Sequence, residues 1–210
     1  MELLNTKLDA VNFCLSGIGR EPVAALDTPD LDAAMALSVL QRSNLEIQNN
    51  GGRGWWFNQE RDWNLEPDDE GIIYLPNNTL SIIESRGYFY DIGNRLTVRG
   101  TKVYDTSRHT FDLHEVTDKG GNVNFTLLLL LSFEDLPVSA RSAIAWDART
   151  TFSDDTIGEQ AQHKINRQQS QRAFGLLEVE NRRTVRSNYL RDNARVNAQV
   201  GRVGGYNNLY

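Results

Sequence analysis

Cysteine is almost missing from this sequence, in which Cys14 is the single one. One cysteine cannot form an internal disulfide, so the fold does not depend on an oxidising compartment. Cys14 lies in an apolar helical pattern, where we expect it to be a small core residue rather than a nucleophile.

Long hydrophobic runs are missing too. The longest one, from Phe125 to Leu131, contains Thr126 and is far too short to cross a bilayer as a helix. The stretch Met1–Leu15 has neither the basic region nor the apolar core and cleavage site of a signal peptide. We therefore expect no signal peptide and no membrane partner.

Positive charge is scarce over most of the chain. The formal net charge is −6 and the pI is about 5.1, which argues against a general nucleic-acid binder. Residues 1–150 contain 13 Lys and Arg against 22 Asp and Glu, whereas residues 151–210 contain 9 against 6. The basic end either docks against an acidic surface or is a solvated helix face that contains arginine.

The sequence shows no pattern that would hold a metal or a cofactor. His109 and His114 lie near Asp112 and Glu115, but their spacing is not that of a helical zinc motif. The segment Gly17–Gly19 is too short for a phosphate-binding loop, and no strand precedes it. We therefore expect no metal and no cofactor.

Catalytic patterns are equally hard to find. The adjacent carboxylates Asp68–Asp69 and Asp154–Asp155 could in principle serve glycoside hydrolysis. Adjacent acids point in different directions, however, and both pairs suit turns or helix caps. The sequence contains no Gly-x-Ser-x-Gly motif. We therefore assign no catalytic residue.

Four helices are expected from apolar periodicity and from start and stop signals. They cover about Lys7–Ile18, Pro29–Gln48, a stretch after Leu136–Pro137 that ends near Thr151, and Thr156 to about Arg195. We expect Thr28 to cap the second helix ahead of Pro29, and Asp154–Asp155 to cap the last one. The second helix is expected to use its alanines for close packing and to have Leu31, Met35 and Leu45 on its apolar side. The expected inner face of the third helix is Ile144, Ala145, Ala148 and Phe152, and the first part of the fourth helix has the apolar stripe Ile157, Ala161 and Ile165.

Between the two pairs of helices the sequence changes to short β-type runs separated by turn residues. These runs are Ile72–Tyr74, Leu80–Ile83, Tyr88–Tyr90, Arg95–Val98 and Lys102–Tyr104. Arg99–Thr101 is expected to be a tight hairpin turn, and Asp118–Asn122 a second hairpin-like loop. The leucine-rich stretch from Val123 to Phe133 favours a strand buried on both faces, with a helix as the alternative.

The order of these elements predicts an α+β fold. Residues 1–52 and 134–195 are expected to form a four-helix bundle from the two ends of the chain. Residues 53–133 would be an inserted small antiparallel β domain. Residues 196–210 would be a flexible C-terminal tail, either disordered or ordered on another subunit.

The most informative stretch joins the expected bundle to the β domain. The glycines of Gly51–Gly54 end the second helix, because each would cost about 1 kcal/mol relative to alanine inside it. Trp55, Trp56 and Phe57 follow directly. Such large apolar side chains must be covered by the same chain or by a neighbour. The stretch therefore suggests a protein that assembles.

Several short stretches, in order along nearly the whole chain, are similar to one known family. They are Ala10–Asn12, Ile18–Gly19, Pro22–Val23, Ile47–Gln48, Gly54–Trp55, Phe57–Asn58, Pro67–Asp68, Gly71–Ile72, Val103–Asp105, Leu136–Pro137 and Gly204–Asn207. On these residues the chain resembles the tail tubular protein A family of short-tailed phages, or podoviruses. Members of that family form the head-to-tail adaptor ring between the portal and the tail nozzle.

The resemblance implies a structural virion protein without catalysis or cofactor. Identical copies would form a dodecameric ring that grips the portal on one side and receives the nozzle on the other. The genomic DNA would pass through the centre without sequence-specific binding, and tail fibres would be a further partner. The implied location is the tail of the virion, after assembly in the host cytoplasm.

The residues most suited to docking lie in two regions: the arginine-bearing last helix with the tail, and the aromatic stretch after the second helix. We expect the portal to be contacted by Arg182, Arg183, Arg186, Arg191, Arg195, Tyr206 and Tyr210. Trp55, Trp56 and Phe57 would either brace the joint or meet the nozzle. The alternative functions are a polysaccharide-degrading tail enzyme and a nucleic-acid-binding module.

Overall fold

A computed structural model describes residues 4–84, 96–116, 122–158 and 160–192, without the side chains of residues 84, 161 and 186–192. Over these residues it contains the α-helices α1 Lys7–Gly17, α2 Leu31–Asn49, α3 Val138–Thr156 and α4 Gln160–Asp192, and the strands β1 Gln59–Leu65, β2 Thr79–Glu84, β3 Leu96–Arg99, β4 Lys102–Asp105 and β5 Val123–Leu129. The α+β class is confirmed. The expected strand Tyr88–Tyr90, most of the loop Asp118–Asn122 and the tail 196–210 lie outside the described residues.

The first helix begins with a capping box. The backbone N–H of Asp9 donates to Thr6 Oγ1 at 3.1 Å, and the backbone N–H of Thr6 donates back to Asp9 Oδ2 at 2.9 Å. Burial raises the pKa of the Asp9 carboxyl, but hydrogen bonds from Thr6 and Asn5 outweigh it and leave this pKa below its ordinary value. The ionised carboxylate therefore stabilises the start of α1.

The expected cap of the second helix is wrong by two residues. Asp30 caps α2, because its Oδ1 accepts from the backbone N–H of Ala33 at 2.8 Å. Thr28 instead donates its hydroxyl to the carbonyl oxygen of Ala25. Pro29 therefore precedes the helix rather than opening it.

The expected close packing through alanines in α2 is confirmed by Ala33 and Ala36, which are buried, but the apolar side expected at Leu31, Met35 and Leu45 is wrong. Leu31 is 76% exposed, and Met35 and Leu45 are also exposed. The buried residues of α2 are mostly smaller ones: Ala33, Ala36, Val39, Leu40, Ser43 and Gln48. Small residues let helix backbones approach closely, which leaves the larger side chains of α2 on the outside.

The inner face of α3 is confirmed, since Ile144, Ala145, Ala148 and Phe152 are all fully buried. The helix continues to Thr156, beyond its expected end near Thr151. Asp154 is therefore in the last turn of α3 and does not cap the next helix. Its Oδ2 lies 2.7 Å from Nδ1 of His163 in α4, a contact that ties the two helices together at their connection.

The expected apolar stripe of α4 is wrong as well. Ile157 precedes the helix, Ile165 is exposed, and the side chain of Ala161 is not described. Among the side chains of α4 that the structure describes, Asn166, Ala173 and Leu177 are buried. Asn166 tolerates burial because its Oδ1 accepts from Gln162 at 3.1 Å and its Nδ2 donates to Ser153 Oγ at 3.4 Å.

The strand expected from Val123 onward is confirmed as β5, which ends at Leu129 rather than at Phe133. It is the central strand of an antiparallel sheet ordered β1-β5-β2. The expected strand Leu80–Ile83 is confirmed as part of β2. Strand β1 was not predicted, and its register slips between Glu60 and Trp63, where Asp62 has a φ of 60°.

The second sheet consists of β3 and β4, and it confirms the expected hairpin. Gly100 has a φ of 63° at the turn between Arg99 and Lys102, a conformation that suits glycine. The expected strand Ile72–Tyr74 is reduced to an isolated bridge between Tyr74 and Lys102.

The buried apolar side chains form two clusters among the described residues. One gathers side chains of all four helices with Trp55 and Phe133. The other lies against the sheets and includes Ile73, Val103 and Phe125. The division into residues 1–52 with 134–195, and 53–133, remains a prediction. None of the described helices combines the length and apolar character that crossing a membrane would require.

Candidate interaction surface at the helix–sheet joint

The chain leaves α2 through a turn that depends on glycine. Asn50 has a left-handed backbone, and Gly54 has a φ of +60°. A Cβ atom on Gly54 would overlap the side chain of Leu128 in β5 and would lie 2.9 Å from Asn58 Oδ1. The close approach of this turn to the sheet therefore requires glycine at position 54.

Trp55 belongs to the core of the chain. It is 2% exposed, and its Nε1–H donates to the carbonyl oxygen of Ile47 in α2 at 2.6 Å. Its ring meets the ring of Phe174 in α4 edge to face, with centroids 5.7 Å apart. Trp55 therefore connects α2 to α4 and is not available to a partner.

Two fully buried amide side chains fix the joint. Asn58 Oδ1 accepts from the backbone N–H of Trp55 at 2.8 Å, while its Nδ2 donates to the carbonyl oxygens of Gln48 and Leu129. The Gln48 side chain both donates to and accepts from the backbone of Leu131, at 2.9 Å each. Together they hold the end of α2, the aromatic turn and the end of β5 in one arrangement.

Trp56 and Phe57 are half-buried and pack against each other, with ring centroids 5.0 Å apart. The backbone N–H of Trp56 donates to Asn181 Oδ1 of α4 at 3.2 Å. The aromatic turn is therefore attached to the second half of the last helix.

A groove of about 400 Å³ runs between this turn and α4. It is lined by Asn50, Arg53, Gly54, Trp55, Trp56, Gln59, Glu178, Asn181, Arg182 and Val185. The groove thus brings together residues of the two expected docking regions, Trp56 and Arg182. One wall of the groove is polar and has a net positive charge, because it contains two arginines, two asparagines and one carboxylate. The other wall is formed by the tryptophans.

The arginines of α4 differ in their surroundings. Arg182 Nη2 lies 3.4 Å from Oε2 of Glu178, one turn back on the same helix, and such an exposed pair contributes little to stability. Arg183 is exposed. Arg186 and Arg191 lie on α4 but their side chains are not described, and Arg195, Tyr206 and Tyr210 lie outside the described residues.

Several of the titratable groups considered for chemistry make structural contacts. Asp68 Oδ1 accepts from the backbone N–H groups of Glu70 and Ile72 and so holds a turn. His114 Nδ1 lies 2.8 Å from Asp112 Oδ1. In the described part of the chain, no three His, Cys, Asp or Glu side chains gather as a metal site would need.

The single thiol is embedded in the helical core. Cys14 is fully buried, and burial raises its pKa to about 12 although Arg149 lowers it. A thiol with such a pKa stays protonated at neutral pH and is a poor nucleophile. The groove at the joint presents aromatic rings, amides and guanidinium groups.

A family model described as tail tubular protein matches residues 8–187 of this chain. The chain belongs to the tail tubular protein family. Tail tubular protein A of Klebsiella phage KP34 is 31% identical to it over 144 residues, which cover 66% of this chain and 67% of that protein. The family resemblance inferred from the sequence is confirmed. The protein is a structural component of a phage tail, where it works in an assembly with other phage proteins.

The match to the tail tubular protein family includes the whole joint and α4 as far as Ser187. Sequence reasoning found Trp55 and Arg182 but missed Asn181, which lines the groove, and the roles of Gln48 and Asn58 in fixing the joint. Two of these amides stand beside apolar residues, in Ile47–Gln48 and Phe57–Asn58. An amide residue next to a predicted buried aromatic residue is the sequence signal that could have identified such positions. Buried backbone N–H and C=O groups outside helices and sheets need hydrogen bonds from side chains of this kind.

Proposed function

We propose that this chain forms a dodecameric head-to-tail adaptor ring that joins the portal to the tail nozzle and lets the genome pass. Membership of the tail tubular protein family supports the tail location. An acidic chain with a net charge of −6 suits a channel for DNA, because a basic lining would bind every passing phosphate.

The length of α4 is the observation that carries the proposal. At 1.5 Å per residue, its 33 residues extend about 50 Å, whereas the 19 residues of α3 extend about 29 Å. The connection is short, and Asn166 contacts Ser153, so the first part of α4 runs back along α3. The second part of α4 extends past the beginning of α3.

The second half of α4 exposes apolar side chains on two faces. Leu176 and Val179 are exposed on one face, and Val185 is exposed on the opposite face, where it lines the groove. Exposed apolar side chains beside arginines are typical of a protein-binding surface. We infer that this part of α4 contacts other proteins of the tail.

We assign portal docking to the end of α4 and the residues that follow it. The proposed contacts are those of Arg182, Arg183, Arg186, Arg191, Arg195, Tyr206 and Tyr210. Guanidinium groups pair with carboxylates in two-pronged geometry, and tyrosines add large contact areas with few rotatable bonds. In this arrangement Trp55 would stabilise the joint between α2 and α4, and Trp56 and Phe57 would pack beside the groove.

Four further points complete the proposal. Copies of the chain assemble with the portal in the host cytoplasm, and tail fibres attach to the finished tail. Residues 1–52 with 134–195 form the ring body, whereas residues 53–133 form a separate β domain. The chain catalyses no reaction.

The proposal is tested by weighing the purified chain alone and mixed with portal rings of the same phage, using mass photometry. We expect a ring-sized gain in mass on the portal. The same chain truncated after Arg195, and the variant R182E/R183E, are each expected to bind portal at least about tenfold more weakly. The matched control R167E/R172E reverses the same number of charges elsewhere on α4 and should bind normally.

Two results would contradict the proposal. If the full chain leaves the mass of the portal unchanged at low and high salt, the adaptor role is wrong. If the truncated chain binds as tightly as the full chain, the adaptor role survives but the anchor does not lie in the tail.

A further inference from the structure

The outer face of the β3–β4 hairpin contains an unusual pairing of like charges. Arg99 and Lys102 are direct partners across the hairpin, on either side of the turn at Gly100. Like charges directly opposite each other destabilise an antiparallel pair. A carboxylate at position 99 or 102 would form an opposite-charge pair and would stabilise the hairpin more than the two cations do.

Aromatic rings surround the two cations. The guanidinium carbon of Arg99 lies 3.5 Å from the ring centre of Tyr104, and Nζ of Lys102 lies 5.0 Å from the ring centre of Tyr74. Phe111 packs edge to face on Tyr104, with centroids 4.8 Å apart. We call these five residues, Tyr74, Arg99, Lys102, Tyr104 and Phe111, the hairpin patch.

No carboxylate in the described part of the chain pairs with Arg99 or Lys102. The acids nearby have other partners: Glu115 pairs with Arg108 at 2.9 Å, and Asp112 pairs with His114. Asp105, on the opposite face of β4, is buried and accepts hydrogen bonds from the loop that follows it. The two positive charges are thus held in place by aromatic rings, and no carboxylate among the described side chains neutralises them.

The patch is accessible and rich in the residues that bind proteins. Tyr74 is 53% exposed, Phe111 is 36% exposed, and Arg99 is exposed at the end of the hairpin. Tyrosine and arginine are enriched among the residues that contribute most to protein–protein binding. Rings held in place by neighbouring side chains lose little conformational freedom when a partner binds.

We propose that the hairpin patch binds a carboxylate-bearing segment of a partner protein. The carboxylates pair with Arg99 and Lys102, while apolar side chains of the segment cover Tyr74 and Phe111. The inference rests on the proposed function in one respect, which is that the partner is the tail nozzle. It gives the β part of the chain a docking surface separate from Trp55, Trp56 and Phe57.

Charge favours a protein over a nucleic acid as the occupant. Binding along a phosphate backbone uses many cations at once, and the patch offers two on a chain of net charge −6. Two cations flanked by rings match one or two carboxylates within an apolar segment.

The test measures binding of the full chain to the purified nozzle protein of the same phage by biolayer interferometry. We expect R99E/K102E to bind at least about tenfold more weakly and R99K/K102R to bind almost normally. The control R167E/R172E makes the same charge change on α4 and should leave binding unaltered. Tyr74→Ala removes an exposed ring without disturbing the core, and it should weaken binding even if the charge reversal perturbs the hairpin.

The possible results separate this inference from the proposed function. If the unmodified chain binds nozzle and both R99E/K102E and Tyr74→Ala bind equally well, the patch is not the site, and the adaptor role is unaffected. If the unmodified chain binds portal but not nozzle, both the nozzle role and this inference are wrong. Salt-sensitive binding to a double-stranded DNA fragment that R99E/K102E abolishes would identify a nucleic acid as the occupant and would overturn the inference.

Discussion

Asn58 Nδ2 donates to the main-chain carbonyl oxygen of Gln48 at 3.0 Å, and both side chains are completely buried. This contact connects the last turn of α2 to the beginning of the sheet. Gln48 in turn holds both backbone groups of Leu131, which lies between β5 and α3. Two amides thus set the position of the sheet relative to the helices at the groove.

Asn58→Ala is expected to destabilise the chain by about 2–4 kcal/mol, because it leaves the N–H of Trp55 and the carbonyl oxygens of Gln48 and Leu129 without their partner. Urea unfolding followed by tryptophan fluorescence measures the change. Asn77→Ala, on an exposed turn, is the control and should alter stability by less than about 0.5 kcal/mol. Equal effects of the two substitutions would contradict the structural role of Asn58.

Gly54→Ala is expected to destabilise the chain more than Gly51→Ala does. Both glycines have positive φ angles, and a Cβ in this region costs about 1–2 kcal/mol. Nothing lies near a Cβ on Gly51, whereas one on Gly54 would overlap Leu128 and add about 1–3 kcal/mol. Urea midpoints of the two variants measure the difference, and equal midpoints would show that the turn does not press against β5.

Leu177→Ala and Leu176→Ala test the rotation of α4 about its axis. Leu177 is fully buried, so its truncation should cost about 2–5 kcal/mol. Leu176 is 60% exposed, and its truncation should cost less than about 0.5 kcal/mol. Thermal and urea unfolding of the two variants provide the comparison. A larger loss for Leu176 would mean that the buried face of α4 is a different one.

The thiol of Cys14 is expected to react very slowly with a disulfide reagent in the folded chain. Its pKa of about 12 keeps it protonated at pH 8, and the surrounding helices exclude the reagent. Labelling should become rapid in urea, where the thiol has its ordinary pKa. Rapid labelling of the folded chain at pH 8 would be incompatible with the buried position.

Asp9→Asn is expected to flatten the dependence of stability on pH in mild acid. Because the pKa of Asp9 is lowered in the folded chain, its contribution is present above the ordinary value of 3.8 and is lost as the pH falls through the folded value. Urea midpoints between about pH 2 and pH 5 measure this loss. Asp27→Asn, on an exposed loop, should keep the acid dependence of the parent chain.

The sequence predicted the order of the elements well because start and stop signals are local. It predicted correctly that alanines of α2 pack closely, but it placed the larger apolar residues of α2 and α4 wrongly on the buried faces. Hydropathy favours Leu31 and Ile165 as core residues, but Ala36 and Asn166 fill the places where helices approach closely. A buried asparagine with two partners has no signature in a hydropathy pattern.

Strand β1 was missed for a related reason. Its segment includes Glu60, Arg61 and Asp62, and its register slips at this point, so alternation of apolar and polar residues is interrupted. The partner of β1 is β5, which is far away in the sequence. Pairing with a distant strand, and not local preference, makes this segment extended.

The groove could be predicted only in part. The sequence indicated Trp56 and Arg182 separately, as an aromatic turn and a basic helix. Their proximity follows from the fold, because α4 runs back along α3 and passes the end of α2. A contact between residues that are 125 positions apart, such as Trp56 and Asn181, has no local trace.

The division of the helical core between the two ends of the chain affects how the protein is made. The 88 residues from Asn50 to Pro137 separate α2 from α3. A ribosome that adds about 5–20 residues per second needs about 4–18 seconds to synthesise them. During this time α1 and α2 emerge from the ribosome, but the face of Ala36 and Leu40 has no α3 to cover it. The nascent chain is therefore most vulnerable to aggregation while the β segment is being translated, and its yield should depend on chaperones that hold the first two helices.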